Sequence, residues 1–375
     1  MRDDARSVDT SPRIRRGSCL WQDDELRYSS SRRTRDPGTS LGSSSGKRRR
    51  AVGLVIALAL AAALTACTPR ESPPTSAAPK LTIGLTYQPD IQFAPIYVAA
   101  AEGYFAASGI DVAIRHHGAS ESLLGALQAG QEDVVFAGGD EMLQARSQGV
   151  DVVNIATVYQ QYPVAVLVPS ASPIQTIPDL KGRSVGLPGE YGENWFALLL
   201  LLKQAGMTRN DVNVVSIGYT QQAALMGNKV DAVVGFTNGD AVRFQQAGFP
   251  VRAMGLTGLV GVGLGVSSAT LSSSSATLRA MWGAIAKAMR VCQDDPQKAL
   301  ADSAKFVPGL DQPANAAAAL ATLQATTPLY GVPAQFGHQD DPTWASMVQF
   351  MADAGLLGPT PVKASDAYTT TVVGG

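Results

Sequence analysis

The chain has 375 residues, 45% of them hydrophobic and 16% charged, with a formal net charge of -1. That balance suits a globular α/β protein with large cores and excludes a polybasic nucleic-acid surface. Its three cysteines, Cys19, Cys67 and Cys292, show no pairing pattern and no CxxC, which argues against a disulfide framework or a thiolate metal site.

In chain order, residues 1–46 are rich in Arg, Ser and Asp and read as a disordered leader or a mis-assigned start. Lys47-Arg48-Arg49-Arg50 is a compact positive run, and residues 51–66 follow without a charge. This is the n-region and h-region of a secretory signal, shorter than a spanning helix of about 20 residues. It ends in Leu64-Thr65-Ala66-Cys67, which resembles the lipobox of bacterial lipoproteins. The resemblance implies cleavage before Cys67 and a lipid on its thiol, anchoring the chain to the extracytoplasmic face of the cell membrane. The arginine pairs also leave the export route open between Sec and twin-arginine. Residues 68–80, with Pro69, Pro73, Pro74 and Pro79, read as an extended tether.

From residue 81 the pattern alternates. Strands are predicted at 81–85, 110–114, 133–137 and 152–158. Helices at 94–107, 121–129 and 140–149 lie between them, two of them stopped by Gly109 and Gly130. The series restarts with strands at 164–168, 184–187, 212–217 and 232–236, and helices at 194–205, 223–228 and 241–247. A glycine-rich strand at 261–266 returns to the first series, and its glycines do not form GxGxxG. Residues 276–354 are mostly helical, broken by Pro296, Pro308, Pro328 and Pro342. Such alternation predicts largely parallel sheets in two lobes. Residues 81–164 open lobe 1, 165–260 form lobe 2, and 261–375 complete lobe 1 and add C-terminal helices. The chain crosses between the lobes near 162–168 and 256–265. Ligands of open α/β sheets sit outside the carboxyl ends of the strands, so a cleft between the lobes is the expected site.

The residues along these elements carry a resemblance. Pro89-Asp90-Ile91-Gln92-Phe93-Ala94-Pro95-Ile96-Tyr97-Val98-Ala99 precedes Glu102-Gly103-Tyr104-Phe105 and Gly109-Ile110-Asp111-Val112. Asp179-Leu180-Lys181-Gly182-Arg183 and Val230-Asp231-Ala232-Val233 follow in order. The set resembles the substrate-binding proteins of ABC importers, in the branch similar to thiamine-pyrimidine-precursor synthases, over residues 81–268. The resemblance implies a periplasmic-binding-protein fold of the second type and delivery of a small molecule to a permease driven by an ATPase. No cofactor is implied, and a monomer is expected. A pyrimidine precursor of thiamine is the first expectation for the ligand and a riboflavin-like molecule the next. Alkanesulfonate, taurine or nitrate is the alternative, and a sensory lipoprotein or an enzyme on the same fold is a further one. The synthase pattern itself is missing, because residues 92–95 hold no histidine and there is no cysteine cluster. No HExxH or Walker loop is present either, so no catalytic residue is assigned.

The loops after the strands supply the candidate ligand contacts: Asp90, Gln92, Phe93, Gly139, Asp140, Tyr159, Gln160, Tyr191, Asn194, Asn238 and Asp240. Tyr87, Gly138, Glu190, Trp195, Tyr219 and Phe236 lie in the same loops, and Arg and Lys do not. Aromatic faces, amides and carboxylates without a cation suit a flat neutral or cationic heterocycle better than an anion. Each also has a plainer role: Asp140 as a helix N-cap, Phe93, Phe236 and Trp195 as core. The adjacent His116 and His117 would point to opposite faces of a strand, which argues against a joint metal or catalytic role.

Overall fold

Val134–Gly138 and Val164–Pro169 are almost continuous apolar runs, because each is covered on both sheet faces and has no solvent side to alternate toward. The computed structural model describes residues 78–86, 88–117 and 122–374, which fall within one compact unit. The signal segment, Cys67 and the tether up to residue 77 lie outside the described residues, as does Tyr87.

Two five-stranded sheets form the two lobes. The chain lays down β1 (Lys80–Leu85), β2 (Asp111–His116), β3 (Val134–Gly138) and β4 (Val153–Thr157) in the first. It crosses and builds the second from β5 (Val164–Pro169), β6 (Ser184–Leu187), β7 (Asn213–Ser216), β8 (Ala232–Phe236) and β9 (Val251–Gly255), then returns as β10 (Val262–Val266). The orders are β2-β1-β3-β10-β4 and β7-β6-β8-β5-β9. The sheets are mixed rather than largely parallel. β10 runs antiparallel to β3 and β4, and β5 antiparallel to β8 and β9. The cause is topological: each crossing strand enters its sheet from the opposite lobe, against the βα units already there. β9, which sequence reading left unassigned, is the edge strand that this inverted β5 pairs with.

The helices that matter to the cleft are α1 (Gly139–Ser147), α2 (Gly192–Gln204) and α3 (Asp240–Gln246), which start at the carboxyl ends of β3, β6 and β8. The expected helix at 94–107 is split, since Gly103 takes φ 68° and ends its first half at Ala101. In α2, Phe196, Ala197 and Leu198 are completely buried, which is why its leucine run is a core face of lobe 2. Among the described residues no helix is long and apolar enough to cross a membrane.

Past β10 the chain forms α4 (Ser268–Asp294) and α5 (Pro313–Thr326), and α4 joins the first core through Leu278, Met281, Ile285 and Met289. The next helix, α6 (Asp341–Asp353), is one of the expected C-terminal helices. Its Trp344, Met347, Phe350 and Met351 bury into the second core. Amphipathic spacing shows that a helix buries one face but not which of two cores receives it.

Candidate functional site

A cavity of about 590 Å³ lies between the carboxyl ends of the two sheets. That is within the range of small-molecule sites. The first lobe contributes Thr86, Asp90, Gln92, Phe136 and Glu141 to its lining, and the second contributes Tyr191, Glu193, Asn194, Asn238 and Asp240. Six of the expected residues therefore come together: Asp90, Gln92, Tyr191, Asn194, Asn238 and Asp240.

Each is held by its element. Asp90 caps a short 3-10 turn, its Oδ1 accepting the Gln92 N–H at 3.0 Å. Asn194, in the first turn of α2, donates from Nδ2 to the Val234 carbonyl at 2.8 Å, so its amide is tied to β8. Asp240 opens α3. Its Oδ2 accepts the Phe236 N–H at 2.8 Å and its Oδ1 takes Arg243 Nη1 at 3.1 Å. Burial pushes the Asp240 carboxyl above its ordinary range, against those bonds. Tyr191 is 57% exposed and Tyr219 68%, and both line the cavity.

The other five expected residues lie behind the wall. Phe93 is fully buried and meets Phe136 edge-on, with ring centroids 5.5 Å apart. Tyr159 is also buried, 6.0 Å from Phe136 and 5.8 Å from Tyr330. These two rings hold Phe136, which of the three is the one that reaches the cavity. Gly139 packs against the second crossing: its N–H donates to the Gly261 carbonyl at 3.1 Å, and a Cβ on it would come within 2.7 Å of Val260 Cγ1. Gln160 donates to the Thr157 carbonyl at 2.7 Å and bonds inside lobe 1. Asp140 is buried and accepts the Tyr162 hydroxyl at 2.6 Å. Burial first, then neighbouring Glu141, raise its carboxyl to about 7.

Trp195 is core of the second lobe, and Glu190 faces outward to Arg209 at 2.7 Å. His116 hydrogen-bonds Tyr97 at 2.6 Å, while buried His117 pairs with Glu132, so the two histidines do diverge.

The lining also holds residues that loop reading missed. Arg243 is one, so the expected absence of basic residues does not hold at the cavity; it sits one helical turn past Asp240, beyond the loop. The i,i+3 spacing from Asp240 was the available signal. Glu141 is the neighbour of Asp140, and Thr322 arrives from α5, distant in sequence. Among the described residues the cleft thus holds four carboxylates, Asp90, Glu141, Glu193 and Asp240, and one cation, Arg243, paired with Asp240.

Comparison with known proteins accords with this architecture. The family profile described as NMT1/THI5 like matches residues 90–299, more than half of the chain. The riboflavin-binding protein RibY of Chloroflexus aurantiacus is 33% identical over 342 residues, covering 86% of this chain and 97% of that one. A formylaminopyrimidine-binding protein of Halalkalibacterium halodurans is 24% identical, covering 82% of this chain and 94% of that one. A 4-amino-5-hydroxymethyl-2-methylpyrimidine phosphate synthase of Saccharomyces cerevisiae, THI11, matches at 28% identity over 42% of this chain and 46% of its own length. In structure, the periplasmic aliphatic sulphonate binding protein SsuA of Escherichia coli superposes with a TM-score of 0.62 at 19% identity, covering 77% of this chain and 91% of that one, a likeness of fold. The chain thus belongs to the NMT1/THI5-like family, as a substrate-binding protein with the two-lobed periplasmic-binding-protein fold.

Proposed function

We propose that the protein captures an uncharged nitrogen heterocycle, a riboflavin-like molecule first and a thiamine-type pyrimidine second, and hands it to an ABC permease and its ATPase from the outer face of the membrane. The observation that carries this reading is the cleft lining: exposed Tyr191 and Tyr219 beside acceptor groups, with the one cation among the described lining residues, Arg243, held by Asp240. Rings stack on the tyrosines, and ring N–H and hydroxyl groups donate to Asp90, Glu193 and Asn238. The riboflavin expectation moves ahead of the pyrimidine because the riboflavin-binding relative matches over nearly its full length at higher identity. A cavity of this size also leaves a single pyrimidine ring loosely held, whereas a three-ring system with a polyol chain fills more of it. The sulfonate and nitrate reading is disfavoured by the same lining, since among the described lining residues an anion would meet four carboxylates and one arginine that already pairs with Asp240. A pure binding role fits the relatives matched along their whole length, while the synthase relative matches over less than half of its own.

Fluorescence titration with riboflavin tests this directly. Saturable binding with unchanged ligand after prolonged incubation is the expected result. Taurine, an alkanesulfonate and nitrate should not compete. Tyr191→Ala should weaken riboflavin about ten- to a hundredfold, the worth of one stacked ring in nucleic-acid binders, with little change in stability because the side chain is exposed. Tight sulfonate binding with riboflavin inert would reverse the assignment.

For location, we propose the lipid anchor on Cys67, which supports a binding protein held beside its permease. Cys67→Ser should release the protein to the soluble fraction or stall it unprocessed. A variant that stays membrane-bound at the mass of the wild type would exclude the anchor.

A further inference from the structure

The cavity wall has an electrically uneven seam where the lobes meet. Asp140 and Glu141 come from the first turn of α1 in lobe 1, and Glu193 from the first turn of α2 in lobe 2. Gly138 lies between them. A Cβ there would stand 2.5 Å from Asp140 Oδ1 and 2.7 Å from Glu193 Oε1, so carboxylates of both lobes converge on one α-carbon. Glu141 Oε2 accepts the Gly138 N–H at 3.4 Å, and its Oε1 is 3.5 Å from where a Cβ on Gly192 would be, against the backbone of lobe 2. From the first crossing, the Tyr162 hydroxyl donates to Asp140 and stands 3.2 Å from the Glu193 carbonyl. The charged and titratable groups influencing this trio are one another and Tyr162, with buried Tyr159 beside Glu193. Glu193 Oε1 is buried without a partner.

A separate residue points to what the cavity receives. Asn238 is 3% exposed and lines the same wall. The Thr326 hydroxyl spends its proton on the Thr322 carbonyl at 2.7 Å, so it can only accept from Asn238 Nδ2 at 3.0 Å. That fixes the amide and leaves Oδ1 as a buried acceptor with no donor. The Asn238 orphan is an acceptor, and Glu193 Oε1 is one whenever its carboxyl is ionised. A ligand that completes this wall brings N–H or O–H groups, not further negative charge.

We infer that the seam is a charge filter: Glu193, backed by Glu141 and Asp140, selects the unphosphorylated form of the ligand against the phosphate ester of the same molecule. The inference rests on the proposed heterocycle-binding function and adds the residue that sets its specificity. A phosphate monoester carries a charge between about −1.5 and −2 at neutral pH. Like charges about 12 Å apart at an effective dielectric of about 20 shift an equilibrium roughly tenfold per charge pair, so Glu193 and Glu141 together give about a hundredfold. Arg243 does not relieve this, because Asp240 already holds it. A protonated carboxyl repels nothing, so the filter is strongest at alkaline pH.

The test titrates riboflavin and its 5′-phosphate into the full protein at pH 8.5, as wild type, Glu193→Gln and Glu141→Gln. In wild type riboflavin should bind about a hundredfold tighter than the phosphate, and each substitution should narrow that ratio about tenfold. A purely structural role for Glu193 would weaken both ligands alike and leave the ratio unchanged. A wild-type ratio near one, or a ratio that neither variant changes, overturns the inference. If neither flavin binds, the flavin assignment fails, and the seam is then read with 4-amino-5-hydroxymethyl-2-methylpyrimidine and its phosphate. Strong preference for the alcohol sustains the filter there, and equal binding or no binding of both overturns it.

Discussion

Between pH 5 and pH 8 the free energy of unfolding is expected to fall by a few kcal/mol, the reverse of the usual acid lability. Burial, and then like-charge neighbours, push Asp140 to about 7 and hold Glu141 and Glu193 above the ordinary carboxylate range. Below about pH 4 these groups carry protons in both folded and unfolded chains, and no difference arises. As pH rises past that point the unfolded chain gives up its protons while the folded seam keeps them. The folded state then binds more protons than the unfolded one, so stability declines with pH. The decline levels off once the folded groups ionise as well, near pH 7 for Asp140. Each such group contributes about 1.4 kcal/mol per pH unit within its window. Asp179, Asp211, Asp231, Asp340 and Asp353 have the opposite sign, since hydrogen bonds lower their carboxyls; their stabilisation is lost only as pH falls below about 4. Denaturant unfolding across this range checks the claim. Asp140→Asn keeps an acceptor for Tyr162 and should flatten the curve between pH 5 and pH 7. A wild-type curve that rises over that interval, or a variant with an unchanged slope, would count against a protonated seam.

That seam also marks how far sequence reading could go. The strands were legible because fully covered apolar runs between glycine and proline breaks have few other fates, and the double crossing followed from the order of the βα units. Cavity residues were legible where they sit on strand-end loops, as Asp90, Asn194, Asn238 and Asp240 do. Phe93 and Tyr159 stand in the same kind of loop, yet they face inward to clamp Phe136. Nothing local distinguishes a ring that lines a cavity from one that braces it, because the choice depends on packing against β10 and the residues around Tyr330. Arg243 and Thr322 escaped for a related reason: a helix face or a distant helix reaches the cleft only through tertiary placement. The convergence of Asp140 and Glu193 on Gly138 joins two lobes and has no sequence signature at all.

Trp344→Ala is expected to cost about 3–5 kcal/mol and to divide the unfolding transition. The indole is completely buried and stacks on Tyr368 at 5.2 Å, with the rings 14° from parallel. Its Nε1 donates to Gln339 Oε1 at 2.9 Å. Gln339 Nε2 in turn donates to Asn154 Oδ1 at 2.7 Å, and Thr157 donates to Gln339 Oε1 at 2.9 Å. Asn154 and Thr157 belong to β4 of lobe 1, whereas Trp344 and Met347 belong to the core of lobe 2. The C-terminal segment therefore links the lobes beside the two crossings. Met347 adds to the link, its sulfur accepting the Val260 N–H at 3.4 Å on the returning strand's approach. Removing the indole opens a cavity in one lobe and leaves buried Gln339 one donor short, which loosens its hold on the other. Calorimetry should show one transition in wild type, with the variant's first transition lower by roughly 10 °C. Trp344→Phe keeps most of the apolar volume and loses the donor, so it should cost about 1–3 kcal/mol. A Trp344→Ala protein that still unfolds in a single step, destabilised by less than about 1 kcal/mol, would mean that the two crossings alone couple the lobes.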